Sequence, residues 1–340
     1  MRGATLDRPP AATAALPEPL PRRVRTSAGA ALVRDLVALT KPRVISLLLV
    51  TAIVPMVVAL DGPPPLPLVL WTLLGGYLMA GGANAINMWF DRDLDGVMGR
   101  TRLRPLPAGR LAPPVALLYG LALAAAAFAA LAWGANLLAA CLALAGLAVY
   151  VLVYTVALKR RSPQNIVIGG AAGAFPPLVG WAAAAGSVDV TALVLFAIVF
   201  YWTPPHFWAL ALVKRRDYAA ARVPMLPVVQ GAGETRRQIL LHSAILLPVT
   251  LLPAATGALG GVYAVSAAAL GARLVQLAVR LPAGPGAAAR GSGSAETEPE
   301  PGSSAGAGAG RPAAAWRLYR FSLVYLALLF AAMLVDRAVA

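Results

Sequence analysis

Long apolar stretches, separated by short polar segments, dominate the chain. Most of them approach the ~20 residues that a helix needs to cross the hydrocarbon core of a bilayer. The pattern predicts an all-α integral membrane protein with nine transmembrane helices, at about 44–60, 66–90, 113–133, 136–157, 165–185, 189–212, 239–256, 260–279 and 317–336.

The composition agrees with this class. Hydrophobic residues make up 59% of the 340 residues, charged residues make up 13%, and the mean hydropathy is +0.72. A soluble domain has about 45–50% apolar and about 25% charged residues. The single cysteine, Cys141, excludes an intrachain disulfide, and its position in an apolar run predicts a buried side chain.

Basic residues account for the formal net charge of +15, and their distribution indicates topology rather than nucleic-acid binding. If the amino terminus is cytoplasmic, all of the 29 Lys and Arg residues except Arg337 fall on the cytoplasmic side. Because a Lys/Arg excess marks cytoplasmic loops, we predict a cytoplasmic amino terminus and an external carboxyl terminus. We expect a plasma-membrane protein with no nucleic-acid partner; the mitochondrial inner membrane is the weaker alternative.

Two segments fall outside the membrane pattern. Residues 1–40, rich in Arg, Pro and Ala, are interpreted as a disordered basic cytoplasmic tail, with a mitochondrial transit peptide as the weaker alternative. Residues 281–315 form a low-complexity linker with too little apolar surface to fold. The predicted membrane domain therefore comprises residues 41–280, with spans one to eight, and residues 316–340, with span nine.

Two long loops, at about 91–112 and 213–237, are separated by four spans and therefore lie on the same side of the membrane. Each has an aspartate beyond a helix end, several arginines and a closing proline turn. This similarity predicts two related four-helix halves plus a final helix, with the two loops meeting over a common cavity.

An acidic cluster begins the first of these loops, in "NMWFDRDLDG" (87–96). If the helix continues through it, Asn87, Asp91 and Asp95 share one face, and Asp93 points to roughly the opposite side. An amide and two carboxylates suit Mg2+, which leaves other coordination positions for water and substrate phosphates. Because a carboxylate is costly at the bilayer centre, we expect this group at the membrane rim or in a wet cavity.

The same residues allow two other interpretations. The stretch "DRDLDG" matches the first six positions of a calcium-binding EF-hand loop, but the twelfth position, a glutamate in that motif, is Arg102 here. This arginine argues against calcium. The remaining alternative is a solvated loop whose charges only solubilise the end of a helix.

Arginines follow the acidic cluster at positions 100, 104 and 110. A metal ion bound by carboxylates, together with guanidinium groups, forms a site for a polyanion such as diphosphate. In a membrane protein, a diphosphate attached to an apolar chain indicates prenyl transfer. Arg100, Arg104 and Arg110 are therefore candidate diphosphate-binding residues.

The run N-x-x-x-D-x-x-x-D from Asn87 to Asp95 resembles the first signature of the intramembrane UbiA-type prenyltransferases. Other stretches resemble the protoheme IX farnesyltransferase (haem O synthase) branch of that superfamily. They are "RTRLRPLPAGR" (100–110), "SPQNIVIGGAAGAFPPLVGW" (162–181), "TPPHFWALAL" (203–212) and "DYAAARVPMLPVVQG" (217–231). The resemblance covers roughly residues 30–280 and 316–337.

This resemblance implies nine transmembrane helices around a central cavity. It also implies transfer of a farnesyl group from farnesyl diphosphate to a vinyl group of haem B, with release of diphosphate and addition of water. The product would be haem O for terminal oxidases. Docking of a downstream haem A synthase or an oxidase assembly partner stays open.

The resemblance also implies roles for individual residues. Binding of Mg2+ and diphosphate falls to Asn87, Asp91 and Asp95, and Asp217 belongs to a second acidic motif. Contacts with phosphate oxygens fall to cationic residues, namely Arg100, Arg104 and either Lys159 or Lys214. Many relatives in the superfamily have a second aspartate four residues after the position of Asp217, where this chain has Ala221. This departure favours the haem branch and predicts weaker metal binding in the second loop.

His206, in "TPPHFWAL", has two interpretations: a ligand or contact of haem, or a hydrogen-bonded polar residue of the core. The resemblance favours the haem contact. Two alternative functions also stay open. One is a prenyltransferase for an aromatic acceptor such as a quinone precursor, and the other is a secondary transporter.

Overall fold

The computed structural model describes residues 28–282 and 310–339, and all regular secondary structure in these ranges is helical. Most of the predicted tail and most of the predicted linker lie outside the described residues. The helices are α1 Ala28–Thr40, α2 Pro42–Leu60, α3 Leu66–Phe90, α4 Arg92–Val97, α5 Pro113–Gly134, α6 Leu137–Ala148, α7 Asn165–Gly169, α8 Ala171–Ala185, α9 Val190–Val213, α10 Arg215–Ala220, α11 Leu226–Val229, α12 Gly231–Ala255, α13 Gly261–Val279 and α14 Gly310–Val339. Helix α6 continues as a π-helix over Val149–Leu158.

Nine membrane spans are confirmed within the described part of the chain. They correspond to α2, α3, α5, α6 with its π-helix, α7 with α8, α9, α12, α13 and most of α14. Most boundaries agree with the hydropathy pattern to within a few residues. Helix α12 begins at Gly231 rather than near residue 239, because its first two turns are polar and extend beyond the apolar core of the span.

Two predictions were wrong. Residues 28–40 form α1 rather than disordered tail, since the prolines of the predicted tail, at positions 9, 10, 17, 19 and 21, all precede this stretch, which is rich in Ala, Leu and Val. Cys141 is exposed rather than buried, because it lies on the outward face of α6, where the expected surrounding is lipid. An apolar run identifies a membrane helix but does not distinguish its packed face from its lipid face.

The spans pack as two groups. Helices α3, α5 and α6 pack in sequence, and α6 then packs on α8. Helices α9, α12, α13 and α14 form the second group, in which α14 returns to pack on α9. Helix α2 joins the groups through contacts with α8 and α14. The last span, α14, therefore completes the second group. The repeat pattern predicted instead that this span is separate from two complete four-helix halves.

Close approach of α2 and α8 depends on Gly180. A Cβ atom at this position would lie 1.7 Å from the carbonyl oxygen of Ala52. No side chain fits there unless the two helices separate, as is common where small residues line contacts between membrane helices. The α2–α8 contact is therefore fixed by the absence of a side chain.

Candidate functional site

The predicted acidic cluster lies where α3 ends and α4 begins. Backbone hydrogen bonds cross this junction, from Asp91 N to Asn87 O (2.9 Å) and from Asp95 N to Asp91 O (2.8 Å). The helical register is thus kept, and Asn87, Asp91 and Asp95 lie on one buried face, which we call the acid face. Their exposed fractions are 5%, 1% and 4%, whereas the side chain of Asp93 is 60% exposed. The predicted geometry is confirmed.

Cationic side chains from other parts of the chain contact the acid face. Asp91 Oδ2 accepts hydrogen bonds from Lys159 Nζ and from Asn87 Nδ2, the latter at 2.8 Å. Asp95 Oδ2 accepts one from Arg104 Nη1 at 2.7 Å. Lys159 and Arg104, two of the cations proposed from sequence, therefore lie at the acids, and their charges compensate the buried carboxylates.

Arg160 is a cation of this site that the sequence analysis missed. Its guanidinium donates two hydrogen bonds to Asp93, at 2.7 and 2.8 Å, and approaches Asp91 Oδ1 at 3.5 Å. The hydrogen bonds from Arg160 lower the pKa of Asp93, and the same bonds raise the pKa of Arg160. The run Lys159-Arg160-Arg161 after the fourth span is the available signal, but the Lys/Arg bias of cytoplasmic loops explains such a run without any role in a site.

The π-helix positions two residues of the site. Thr155 Oγ1 donates to Tyr150 O (2.8 Å) and Lys159 N donates to Tyr154 O (2.8 Å), both five residues back. Thr155 also accepts a hydrogen bond from Asn87 Nδ2 at 3.0 Å. The wider turn therefore brings Thr155 and Lys159 against the acid face. Longer π-helices are rare and π-bulges occur often at functional sites, and nothing in the hydropathy pattern reveals one.

Lys41 is a second residue that the sequence analysis did not assign to the site. It precedes α2 in a left-handed conformation (φ 56°), and its Nζ donates to Asn84 Oδ1 at 3.1 Å. Burial lowers the pKa of Lys41 to about 7, and the nearby charges of Arg104 and Lys159 act in the same direction. A strained backbone at a residue that faces the acids is typical of a functional site.

Other predicted residues form no ion pair with the acid face in the described part of the chain. Arg110 binds Asp35 of α1, with Nε–Oδ2 at 3.0 Å, and the carbonyl oxygen of Leu103. Arg100 is exposed, and Lys214 and Asp217 are half-buried in the second loop. None of the last three makes an ion pair with another described residue.

The two long loops come close to each other, and the common cavity expected between them stays a prediction. Met98 of the first loop belongs to the same buried cluster as Tyr218 and Val223 of the second. Burial raises the pKa of Tyr218, and the charges of Arg100 and Lys159 are close enough to oppose this shift. The two loops therefore lie close together at the end of the bundle where α2 begins and α3 ends, which we call the basic end.

His206 lies at the contact between α9 and α14. Its ring stacks between Trp202 and Tyr319, with centroid distances of 4.4 and 4.8 Å, and its Nδ1 is 2.8 Å from Ser322 Oγ. Among the described residues, none of these contacts is with a residue of the acid face. The structure thus separates His206 from the carboxylates.

The acid face resembles an open site for Mg2+ that binds together with a phosphate ligand. It does not resemble a closed metal site made of protein ligands alone. Residues 28–282 and 310–339 contain no group of three or more His, Cys, Asp or Glu side chains arranged for a metal. Asp91 and Asp95 supply two carboxylates, and both side-chain hydrogen bonds of Asn87 to described residues use Nδ2, which leaves its Oδ1 as a third oxygen ligand. Mg2+ commonly takes one or two carboxylates and completes its shell with water and substrate phosphates.

Comparison with known proteins gives relatives along most of the chain. A protoheme IX farnesyltransferase of Symbiobacterium thermophilum is 50% identical over 306 residues, which are 89% of this chain and 94% of that protein. One from Roseiflexus sp. (strain RS-1) is 51% identical over 91% of this chain. The chain spans about half the length of the Roseiflexus, Chloroflexus and Thermus relatives, with 53% of the Roseiflexus protein covered.

Solved structures share the fold. The chain is similar to a structure of digeranylgeranylglyceryl phosphate synthase, with a TM-score of 0.67 and 14% identity, over 91% of this chain and 99% of that one. It is also similar to a UbiA homologue from Archaeoglobus fulgidus bound to DMAPP and Mg2+, with a TM-score of 0.59 and 16% identity, over 90% of this chain and 100% of that one. The sequence pattern of the UbiA prenyltransferase family matches residues 47–289. The chain therefore belongs to the UbiA prenyltransferase family.

Proposed function

We propose that the protein transfers a farnesyl group from farnesyl diphosphate to a vinyl group of haem B, and that water addition completes haem O. The observation that carries this proposal is the acid face at one end of a membrane-spanning helical bundle. Three cations contact it, Arg104, Lys159 and Arg160. A fourth, Lys41, lies close enough to interact with the charges of Asp91 and Asp95. The name protoheme IX farnesyltransferase, borne by relatives 49–52% identical to this chain, supports haem as the acceptor.

The charges of the site suit a diphosphate. Two buried carboxylates face four cationic groups, so a metal ion on Asp91 and Asp95 would release Lys159 and Arg104 to bind phosphate oxygens. Bound Mg2+ supplies further positive charge to the departing diphosphate. Lys41, whose pKa is lowered to about 7, gains a proton as the anion binds beside it.

The reaction needs charge stabilisation and exclusion of water more than a nucleophile. The carbon–oxygen bond of farnesyl diphosphate breaks, and its electron pair leaves with diphosphate. The vinyl π electrons then form the new carbon–carbon bond, and water adds to the resulting cation with loss of a proton. Lys159 and Arg104 stabilise the departing charge, which is the contribution that dominates in such sites.

Aromatic rings next to the acid face suit the allylic cation. Tyr150 and Tyr154 stack with centroids 5.7 Å apart, and Lys159 Nζ lies 5.9 Å from the Tyr154 ring. Ring faces attract cations and exclude water, so the rings of Tyr150 and Tyr154 protect the farnesyl cation from water until the haem vinyl group attacks it.

The proposal also covers the location of the protein, the roles of the second loop and His206, and the partners. We place the basic end in the cytoplasm, because the Lys/Arg bias sets the orientation of the spans. We place the protein in the plasma membrane. Asp217 and Lys214, on the second loop, cover the diphosphate from above, and His206 contacts the haem acceptor. A haem A synthase or an oxidase assembly factor is a candidate partner that takes up haem O.

The decisive experiment is reconstitution. Purified full-length protein in lipid nanodiscs, supplied with Mg2+, farnesyl diphosphate and haem B, should form haem O and diphosphate in equal amounts. Parallel reactions replace haem with hydroxybenzoate or dihydroxynaphthoate. Prenylation of an aromatic acid with haem unchanged would refute the haem assignment, and solute uptake by proteoliposomes without diphosphate release would indicate a transporter.

A further inference from the structure

Four aromatic rings form a continuous stack across the contact between α9 and α14. Trp316 stacks on Tyr319 (5.1 Å), Tyr319 on His206 (4.8 Å) and His206 on Trp202 (4.4 Å), with interplanar angles of 19–27°. Trp316 is 38% exposed and Trp202 is 7% exposed, so the stack runs from the surface into the core. Both faces of the His206 ring are covered, and only its edge is left for a polar partner.

The hydrogen bonds at that edge determine where the imidazole carries its proton. Ser322 Oγ donates its single hydrogen to the carbonyl oxygen of Tyr319, at 2.7 Å. With the Ser322 hydrogen used in this way, Nδ1 is the donor in the 2.8 Å contact between His206 Nδ1 and Ser322 Oγ. The proton of the neutral ring therefore lies on Nδ1, and Nε2 has a lone pair.

Helix α9 also holds Ser322 through its backbone. Trp202 Nε1 donates to the carbonyl oxygen of Ser322 at 2.7 Å. Ser322 is 0% exposed, so its position relative to His206 is set by packing as well as by hydrogen bonds. The two helices thus act together to orient the imidazole.

A neutral imidazole whose Nδ1–H is held by a hydrogen bond is the arrangement that prepares Nε2 to bind a metal. Haem is a planar aromatic molecule with an iron atom and two carboxylates. The stack offers aromatic surface and a ring nitrogen, and the exposed Arg320 shares a face of α14 with Trp316, four residues before it. The aromatic rings match the haem macrocycle, the ring nitrogen matches the iron, and the Arg320 guanidinium matches a carboxylate.

We propose that Ser322 is a positioning residue that keeps His206 in the tautomer with a free Nε2 lone pair, and that α14 thereby belongs to the acceptor site. The inference rests on the proposed haem acceptor. Helix α14 lies far along the chain from the acid face, so the acceptor site and the diphosphate site use different parts of the sequence.

The test compares two serine-to-alanine substitutions. Ser322→Ala removes the acceptor for Nδ1–H, so the tautomer with a free Nε2 lone pair loses the hydrogen bond that favours it over the other tautomer. Ser322→Thr keeps the hydroxyl group. Ser243→Ala, on α12, is the matched control, since Ser243 is 1% exposed and its hydroxyl has no hydrogen-bond partner among the described residues.

Haem binding to the full-length protein is followed through the Soret band of ferric haem, without farnesyl diphosphate, and KM and kcat are then measured for haem O formation. We expect Ser322→Ala to weaken haem binding and raise the KM for haem roughly fivefold to tenfold, and to lose the spectral signature of imidazole coordination. The KM for farnesyl diphosphate stays unchanged. Ser322→Thr restores both haem measurements, and Ser243→Ala changes neither.

Two results would overturn the inference. One is a folded Ser322→Ala protein with the spectrum and haem KM of the unmodified chain, and the other is equal loss in Ser322→Ala and Ser243→Ala. If the added methyl group prevents Ser322→Thr from folding, the two alanine variants alone decide. An unmodified protein that shows imidazole-coordinated haem but makes no haem O refutes the proposed reaction and leaves the role of Ser322 intact.

Discussion

Replacement of Asp91 by asparagine tests the acid face most directly. Asparagine keeps the size of the side chain and removes its negative charge. Asp91 is 1% exposed and accepts hydrogen bonds from Lys159 and Asn87, so the change removes both a proposed metal ligand and a buried ion pair. Asp93→Asn makes the same chemical change two residues away, on a side chain that is 60% exposed.

The expected magnitudes separate the two variants clearly. Loss of one preorganised electrostatic group at a developing charge lowers kcat by about 10²–10³, which corresponds to about 2.7–4 kcal/mol. We expect at least this loss for Asp91→Asn. The pair between Asp93 and Arg160 is exposed, and such pairs contribute about 0.2–1 kcal/mol, so Asp93→Asn should lower kcat less than about fivefold.

The assay is release of diphosphate from farnesyl diphosphate in the presence of haem B and saturating Mg2+, with the melting temperature in detergent measured alongside. Lys159 is 14% exposed and reaches the basic end, so its unpaired charge in Asp91→Asn should cost less than the about 3–5 kcal/mol of a fully buried broken pair. Both variants should therefore fold. Equal losses of activity at the two positions would refute the assignment of a single functional face.

Two further predictions concern Lys41 and Gly180. Because the pKa of Lys41 is about 7 in the folded protein, below its ordinary 10.5, Lys41 is mainly neutral at pH 8, and a bound diphosphate raises its pKa. Diphosphate binding should then take up close to one proton at pH 8 and weaken as the pH rises above 7. Calorimetry in buffers of different ionisation enthalpy measures this uptake, and persistence of the uptake in Lys41→Met would contradict the assignment. Gly180→Ala should destabilise the protein by about 1–3 kcal/mol, because its Cβ would meet the backbone of α2, whereas Gly173→Ala in the same helix has no atom within 4 Å and should be neutral or gain up to about 1 kcal/mol. Thermal unfolding in detergent compares the two variants. Equal shifts in melting temperature would show that the close contact between α2 and α8 does not exclude a side chain at position 180.

Local patterns in the sequence determined a large part of this structure. Apolar segments of membrane-spanning length predicted all nine spans in the described ranges, because a helix in lipid must satisfy its backbone within its own segment. The spacing of Asn87, Asp91 and Asp95 predicted their shared face, because helical periodicity depends only on residues a turn apart.

Only the tertiary structure decided which cations reach that face. Lys41 and Lys159 lie far from the acids in sequence, and a left-handed residue before α2 and a π-helix after α6 bring them there. It likewise placed Cys141 on the outer surface and joined His206 to Ser322 across 116 positions of the chain. Hydropathy and residue spacing describe a helix by itself, whereas these contacts depend on the mutual packing of helices that no local pattern records.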